Sequence, residues 1–173
     1  MQPGVSGEQL DKRRPECGNP IMNSSPKFTK IIRVLIADDH PAVREGLAAI
    51  LRSAKDIEVV AEATDGAEVC RLYDQLSPDV LMLDLRMPKK GGLQVVTELM
   101  SRHEPKPRII VMATYEDEED IPRTLSAGAR GYVLKAAPVR HIRQAIRTAA
   151  LGESWFSSGN GFENLRAAHA QAN

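Results

Sequence analysis

The 173-residue sequence has no excess of either charge, since 23 Lys and Arg oppose 23 Asp and Glu. A chain whose main task is to coat nucleic acid is normally basic, so that class is excluded. The balance also holds by segment. Residues 1–29 carry 4 basic and 3 acidic groups, residues 30–151 carry 18 and 18, and residues 152–173 carry 1 and 2, so no segment is a polybasic arm. Cysteine is nearly absent. Cys17 and Cys70 are too few and too far apart for a disulfide scaffold or a metal knuckle, and read as a tail thiol and a helix-face thiol in a reducing compartment. No apolar run approaches the ~18 residues of a membrane span. The N-terminus lacks the apolar core of about 7–15 residues that marks a signal peptide. These absences predict a cytoplasmic protein with no membrane partner. His40, His103, His141 and His169 are scattered and read as surface or capping residues rather than as a metal set.

What is present describes a globular domain between two tails. The composition, 42% hydrophobic and 27% charged, is neither disordered nor membrane-like. Residues 1–29 are punctuated by Pro3, Gly4, Gly7, Pro15, Gly18, Pro20 and Pro26 and hold no hydrophobic period, which predicts a flexible tail. Met22 is a second candidate translation start. Residues 30–151 form the expected domain. Residues 152–173 read as a linker or C-terminal tail with a short helix near Glu163–Gln171, too short for a DNA-binding module.

Within the domain, strand and helix patterns alternate. Ile31–Ala37 is a β-branched, nearly continuous apolar run, the pattern of a strand buried on both faces. Val43, Leu47, Ile50 and Leu51 then recur at helical spacing. Further strands are expected at Ile57–Ala61, Asp79–Leu83, Arg108–Ala113 and Gly131–Leu134. Helices are expected on the stripes Val69/Cys70/Tyr73/Leu76, Leu93/Val96/Leu99/Met100, Ile121/Leu125 and Val139/Ile142/Ile146/Ala149. Five strand–helix units with right-handed crossovers predict a doubly wound α/β sandwich around a parallel sheet.

Ligands of open α/β sheets bind at the carboxyl ends of the strands, so the residues that end each strand carry the functional reading. The first strand runs into Asp38 and Asp39, the third into Asp84, the fourth into Thr114 and the fifth into Lys135. Each has a plain structural role available. Asp38-Asp39 before Pro41 can cap a helix, Thr114 can cap the next, and Lys135 can snorkel. Their coincidence on one rim is hard to ascribe to chance. Clustered carboxylates without Cys or His suit a hard oxygen-liganded cation, and Mg2+ is usual where phosphate is handled. A carboxylate can attack phosphorus, while a cation, an ammonium and a hydroxyl neutralise the transferred group. The set fits phosphorylation of an Asp better than hydrolysis of an outside substrate.

The segments Val34–Pro41, Leu83–Pro88, Met112–Thr114 and Ala127–Lys135 resemble a bacterial response-regulator receiver domain. The Asp-Asp-His-Pro start and the Gly-Ala-Arg-Gly-Tyr segment are similar to the NarL/LuxR-type subfamily. The resemblance spans about Ile31–Glu153 and implies a flavodoxin-like (βα)5 fold with sheet order 2-1-3-4-5. It implies Asp84 as phosphoacceptor, with Asp38, Asp39, Asp84 and the Arg86 backbone carbonyl around Mg2+. Thr114 and Lys135 would hold the phosphoryl oxygens, and Tyr132 would be the aromatic that reports the change to the surface. A histidine kinase or a small acyl phosphate would be the donor, and a transcriptional output outside this chain the recipient, so that the chain alone contacts no nucleic acid.

Two departures and two alternatives accompany this reading. Lys135-Ala136-Ala137-Pro138 delays the proline that often follows the Lys at once, and Lys89-Lys90-Gly91-Gly92 replaces an acidic cap with two cations expected beside the phosphorylation site. An interaction-only receiver would lack an acid or the Lys, and all are present. A Mg2+-dependent aspartyl-phosphate phosphatase would place a second Asp where Arg86 stands. The run Glu116–Asp120 reads as a solvated helix start. Against it, Arg140, Arg143 and Arg147 on the last helix suggest a charge-complementary homodimer.

Overall fold

The computed structural model describes residues 30–114 and 120–157. In chain order these form β1 (Ile32–Ala37), α1 (Pro41–Arg52), β2 (Ile57–Ala63), α2 (Gly66–Leu76), β3 (Val80–Asp84), α3 (Gly92–Arg102), β4 (Ile109–Ala113), α4 (Asp120–Ser126), β5 (Gly131–Leu134), α5 (Val139–Ala150) and β6 (Trp155–Phe156). All pairings are parallel and the sheet order is β2-β1-β3-β4-β5-β6. The tail expected over residues 1–29, the Glu163–Gln171 helix and the acidic residues 116–119 lie outside the described residues.

Strand alternation sorts the apolar residues into two cores. Leu35, Leu81, Leu83, Ile109, Val111 and Tyr132 face one side, covered by α2, α3 and α4. Val34, Ile36, Met82, Ile110, Met112 and Val133 face the other, covered by α1 and α5. The β3 and β4 residues are buried throughout, as the continuous apolar runs require. Among the described residues no helix is long and apolar enough to cross a membrane.

The sheet continues past the expected boundary at residue 151. Trp155 and Phe156 pair with Gly131 and Tyr132, so β5 is not the edge and the packed unit includes the start of what reads as a linker. Gly131 makes this possible, because a Cβ there would lie 1.9 Å from the Trp155 carbonyl oxygen. Gly131→Ala is therefore expected to detach β6 at a cost of about 1–3 kcal/mol. Trp155 emission should shift to the red before the global melt, and an unshifted emission would show that β6 accommodates the methyl.

The basic stripe of α5 is held inside the chain. Arg143 donates to the Ile50 carbonyl at 2.7 Å and to Ser53 Oγ at 2.6 Å. Arg147 clamps Asp56 with two bonds of 2.6 and 2.9 Å. The dimer suggested by the sequence thus loses two of its three arginines to the packing of α5 on the α1–β2 turn. The Arg147 guanidinium holds the Asp56 carboxyl below its ordinary 3.8. Below that value the unfolded chain takes up the proton first, so this pair's stabilisation is present above about pH 4 and is lost as the pH falls through the folded value. Arg147→Met should remove about 1 kcal/mol at neutral pH and flatten acid unfolding in this window. Urea melts of both proteins at pH 3 and 7 check the difference.

Candidate phosphorylation site and cation pocket

The strand ends converge as the topology demands. Backbone ladders run one residue past β1 and β5, with Asp38 N–H donating to the Ala63 carbonyl at 3.1 Å and Lys135 N–H to the Ala113 carbonyl at 3.0 Å. This fixes where both side chains leave the sheet. Asp38 is fully buried, Asp84 is 2% exposed as the last residue of β3, and Asp39 is half-buried. Lys135 Nζ bridges the two deep carboxylates, 2.9 Å from Asp38 Oδ2 and 2.7 Å from Asp84 Oδ2. The Arg86 N–H donates to Asp84 Oδ1 at 3.3 Å, which turns the chain as it leaves the strand. The start of α3 then packs directly on this turn, since a Cβ on Gly92 would lie 2.8 Å from the Asp84 carbonyl oxygen.

Burial pushes the Asp84 carboxyl above its ordinary value, with the Asp38 charge adding to it and Lys135 opposing it. Burial opposes the Lys135 charge in turn, but Asp38 and Asp84 beside it hold the ammonium above its ordinary value. The pocket therefore concentrates negative charge that a single ammonium only partly offsets.

A divalent cation fits this donor set. Ligand atoms of Asp38, Asp39, His40 and Asp84 all lie within 4.8 Å of one another. The buried oxygens Asp38 Oδ2 and Asp39 Oδ1 accept no bond of hydrogen-bond geometry, although Lys135 Nζ and His40 Nδ1 stand 2.9 and 2.7 Å away. Carboxylate oxygens with unused lone pairs are what Mg2+ takes.

The remaining residues are placed less uniformly. Thr114 follows β4 on the same rim and is exposed, and among the described residues it makes no hydrogen bond to Asp84. Tyr132 is 1% exposed and sits in the core under α2, α3 and α4, on β5 between β4 and β6. The cations of the β3–α3 loop do not flank the site. Lys89, with φ of 63°, turns its ammonium to Asp65 at 2.6 Å, and Lys90 pairs with Glu98 beside Cys70 Sγ. The lost acidic cap of α3 is replaced from within the helix, where Gln94 Oε1 accepts the Gly91 N–H at 3.2 Å. His40, read from the sequence as a surface or capping residue, is 66% exposed, makes no side-chain bond to cap α1, and has Nδ1 2.7 Å from Asp39 Oδ1.

A response regulator receiver domain model matches residues 34–147. Over 123 residues the chain is 44% identical to the transcriptional regulatory protein LiaR of Bacillus subtilis, a match that covers 71% of this chain and 58% of LiaR. The chain spans a little over half the length of the curated relatives it matches. The signal receiver domain of NarL from Mycobacterium tuberculosis superposes with a TM-score of 0.68 at 34% identity, covering 72% of this chain and 99% of that one. A LuxR-family two-component response regulator from Aurantimonas gives a TM-score of 0.70 at 29% identity over 82% of this chain and 97% of its own. With the sheet order, the buried acid pair and these similarities in agreement, the chain belongs to the response regulator receiver domain family of two-component systems, in its NarL/LuxR-type branch.

Proposed function

We propose that Asp84 of this cytoplasmic protein accepts a phosphoryl group in a Mg2+-dependent reaction with a histidine kinase or a small acyl phosphate. The carrying observation is the buried Asp84 carboxylate, 2.7 Å from the Lys135 ammonium, at the focus of the strand ends. An Asp84 oxygen forms the new P–O bond as the donor's P–N or acyl P–O bond breaks, and the leaving imidazole or carboxylate departs into water. Lys135 is poised to move from Asp84 onto a phosphoryl oxygen. Thr114 can donate its hydroxyl to a second, and its exposure leaves it free to approach. Asp38, Asp39, Asp84 and the Arg86 carbonyl would hold Mg2+, which when bound supplies neutralisation of the charge that develops on the phosphoryl oxygens.

Phosphorylation then becomes a choice between two surfaces. Lys135 follows β5 directly and Tyr132 lies three residues before it, so a shift of the ammonium is felt where α4, β5 and α5 meet the solvent. The readout that this proposal implies is a transcriptional output. Intact-mass analysis after incubation with acetyl phosphate and Mg2+ tests the reading, with a single phosphoryl adduct expected. No adduct on folded protein would favour an interaction-only receiver.

A further inference from the structure

We propose that the opposite end of the sheet carries a second binding site, a cleft at Arg108 and Tyr73 that takes a small aromatic carboxylate. The cleft, of about 260 Å3, opens between the end of α2 and the turn from α3 into β4. Asp79 and Arg108, each one residue before its strand, place it at the amino ends of β3 and β4. It therefore lies across the whole sheet from the phosphorylation site. The volume falls just below the roughly 300 Å3 at which ligand pockets begin, which suits one ring with its acid group and excludes a nucleotide.

The charges around the cleft leave one cation over. Asp79 Oδ1 accepts the Lys30 ammonium at 3.1 Å, and its Oδ2 accepts the Arg33 N–H at 3.0 Å. Glu104 pairs with Lys106 at 2.6 Å, and Lys106 also donates to the Met100 carbonyl at 2.9 Å. His103 Nε2 is turned to Asp74 at 2.9 Å, and the other oxygen of Asp74 accepts from Arg102 at 2.7 Å. Arg108 is half-buried, yet among the described residues its guanidinium makes no hydrogen bond or ion pair. A planar fork partly withdrawn from water with its donors unused matches a carboxylate in two parallel bonds.

The other side of the cleft supplies a ring wall and a hydroxyl. Tyr73 is 7% exposed and packs edge-on to His103, with centroids 5.0 Å apart at 67°. Burial raises the Tyr73 phenol above its ordinary value, with Arg108 opposing that shift and Asp79 adding to it. Two charges of the cleft thus act on the hydroxyl, which makes no hydrogen bond among the described residues and stands on the cleft side. Pro78 and Pro105 complete the wall, and flat apolar surfaces of this kind favour an aromatic body. A phosphate dianion would meet a single unspent cation close to Asp79, whereas a carboxylate monoanion is balanced by Arg108 alone.

Titration of the full chain with sodium benzoate, followed by saturation-transfer NMR, tests the site, with benzamide as the neutral isostere. Benzoate ring protons should receive saturation from the wild type, and benzamide should bind at least about tenfold more weakly. Arg108→Gln should weaken benzoate binding about tenfold or more, the loss expected for a charge-assisted bond, and Arg108→Lys should recover part of it. Tyr73→Phe keeps the ring against His103, removes only the hydroxyl and should weaken binding severalfold. None of these changes breaks a hydrogen bond among the described residues, so the variants should fold, and a thermal melt checks this. Absence of transfer in the wild type overturns the proposal, as does benzoate binding unchanged in Arg108→Gln or benzamide binding as tight as benzoate. Displacement of benzoate by an equal concentration of inorganic phosphate overturns the carboxylate class.

Discussion

Asp84→Asn is expected to abolish the phosphoryl adduct formed from acetyl phosphate and Mg2+, with no residual species by intact mass. An amide oxygen lacks the charge to attack phosphorus, and the other two pocket carboxylates stand differently. Asp38 is fully buried beneath the Lys135 bridge, and Asp39 faces His40. The variant should fold at least as well as the wild type. Burial disfavours the ionised Asp84 carboxyl, so a neutral amide of the same shape relieves rather than adds cost. A melting temperature that holds while the adduct vanishes therefore separates chemistry from folding. Persistence of a full adduct would move the acceptor to Asp38 or Asp39.

Lys135→Ala should be the most damaging single change to the unliganded fold. It strips the cation from two carboxylates that are 0% and 2% exposed. Removing one partner from a buried ion pair costs about 3–5 kcal/mol. For a domain of this size, a loss near the lower figure lowers the melting temperature by roughly 10 °C. Mg2+ should return part of that loss, since a cation bound only by the folded protein stabilises it by mass action and replaces the missing positive charge. Differential scanning with and without Mg2+ checks both halves. A variant that melts like the wild type would mean the carboxylates are already neutralised without Lys135.

The rim of the sheet was readable because strand ends are local features. A run such as Val80–Asp84 announces both its burial and the residue that emerges from it, and the parallel topology brings the ends of β1, β3, β4 and β5 to one rim. The departures come from residues whose partners lie far along the chain. Asp65 caps α2 with bonds of 3.0 and 2.9 Å, and its other oxygen holds Lys89, 24 residues away. Nothing near Lys89 foretells that its backbone turns left-handed and carries the charge away from Asp84. The α3 stripe was expected at Leu93, Val96, Leu99 and Met100, but Val95, Val96 and Leu99 carry it. The helix starts one residue before Leu93 and its tight seat on the Asp84 turn sets the rotation. A two-residue strand has no period to detect, so β6 was invisible, and with it the burial of Tyr132.

The short β6 has a further consequence for how the molecule behaves among its neighbours. A parallel sheet that ended at β5 would present the free N–H and C=O groups of Gly131–Leu134 as a template for any extended chain. Trp155 N–H instead bonds the Arg130 carbonyl at 3.2 Å, Ser157 N–H the Tyr132 carbonyl at 3.1 Å, and Ser157 Oγ accepts the Leu134 N–H at 3.3 Å. Six residues thus close the open margin of the sheet, and the new margin is only two residues long. A version of the domain cut after Leu151 would keep Asp38, Asp39, Asp84, Thr114 and Lys135. It would also uncover a sticky edge, so its loss would be felt first as self-association and only later as lost chemistry.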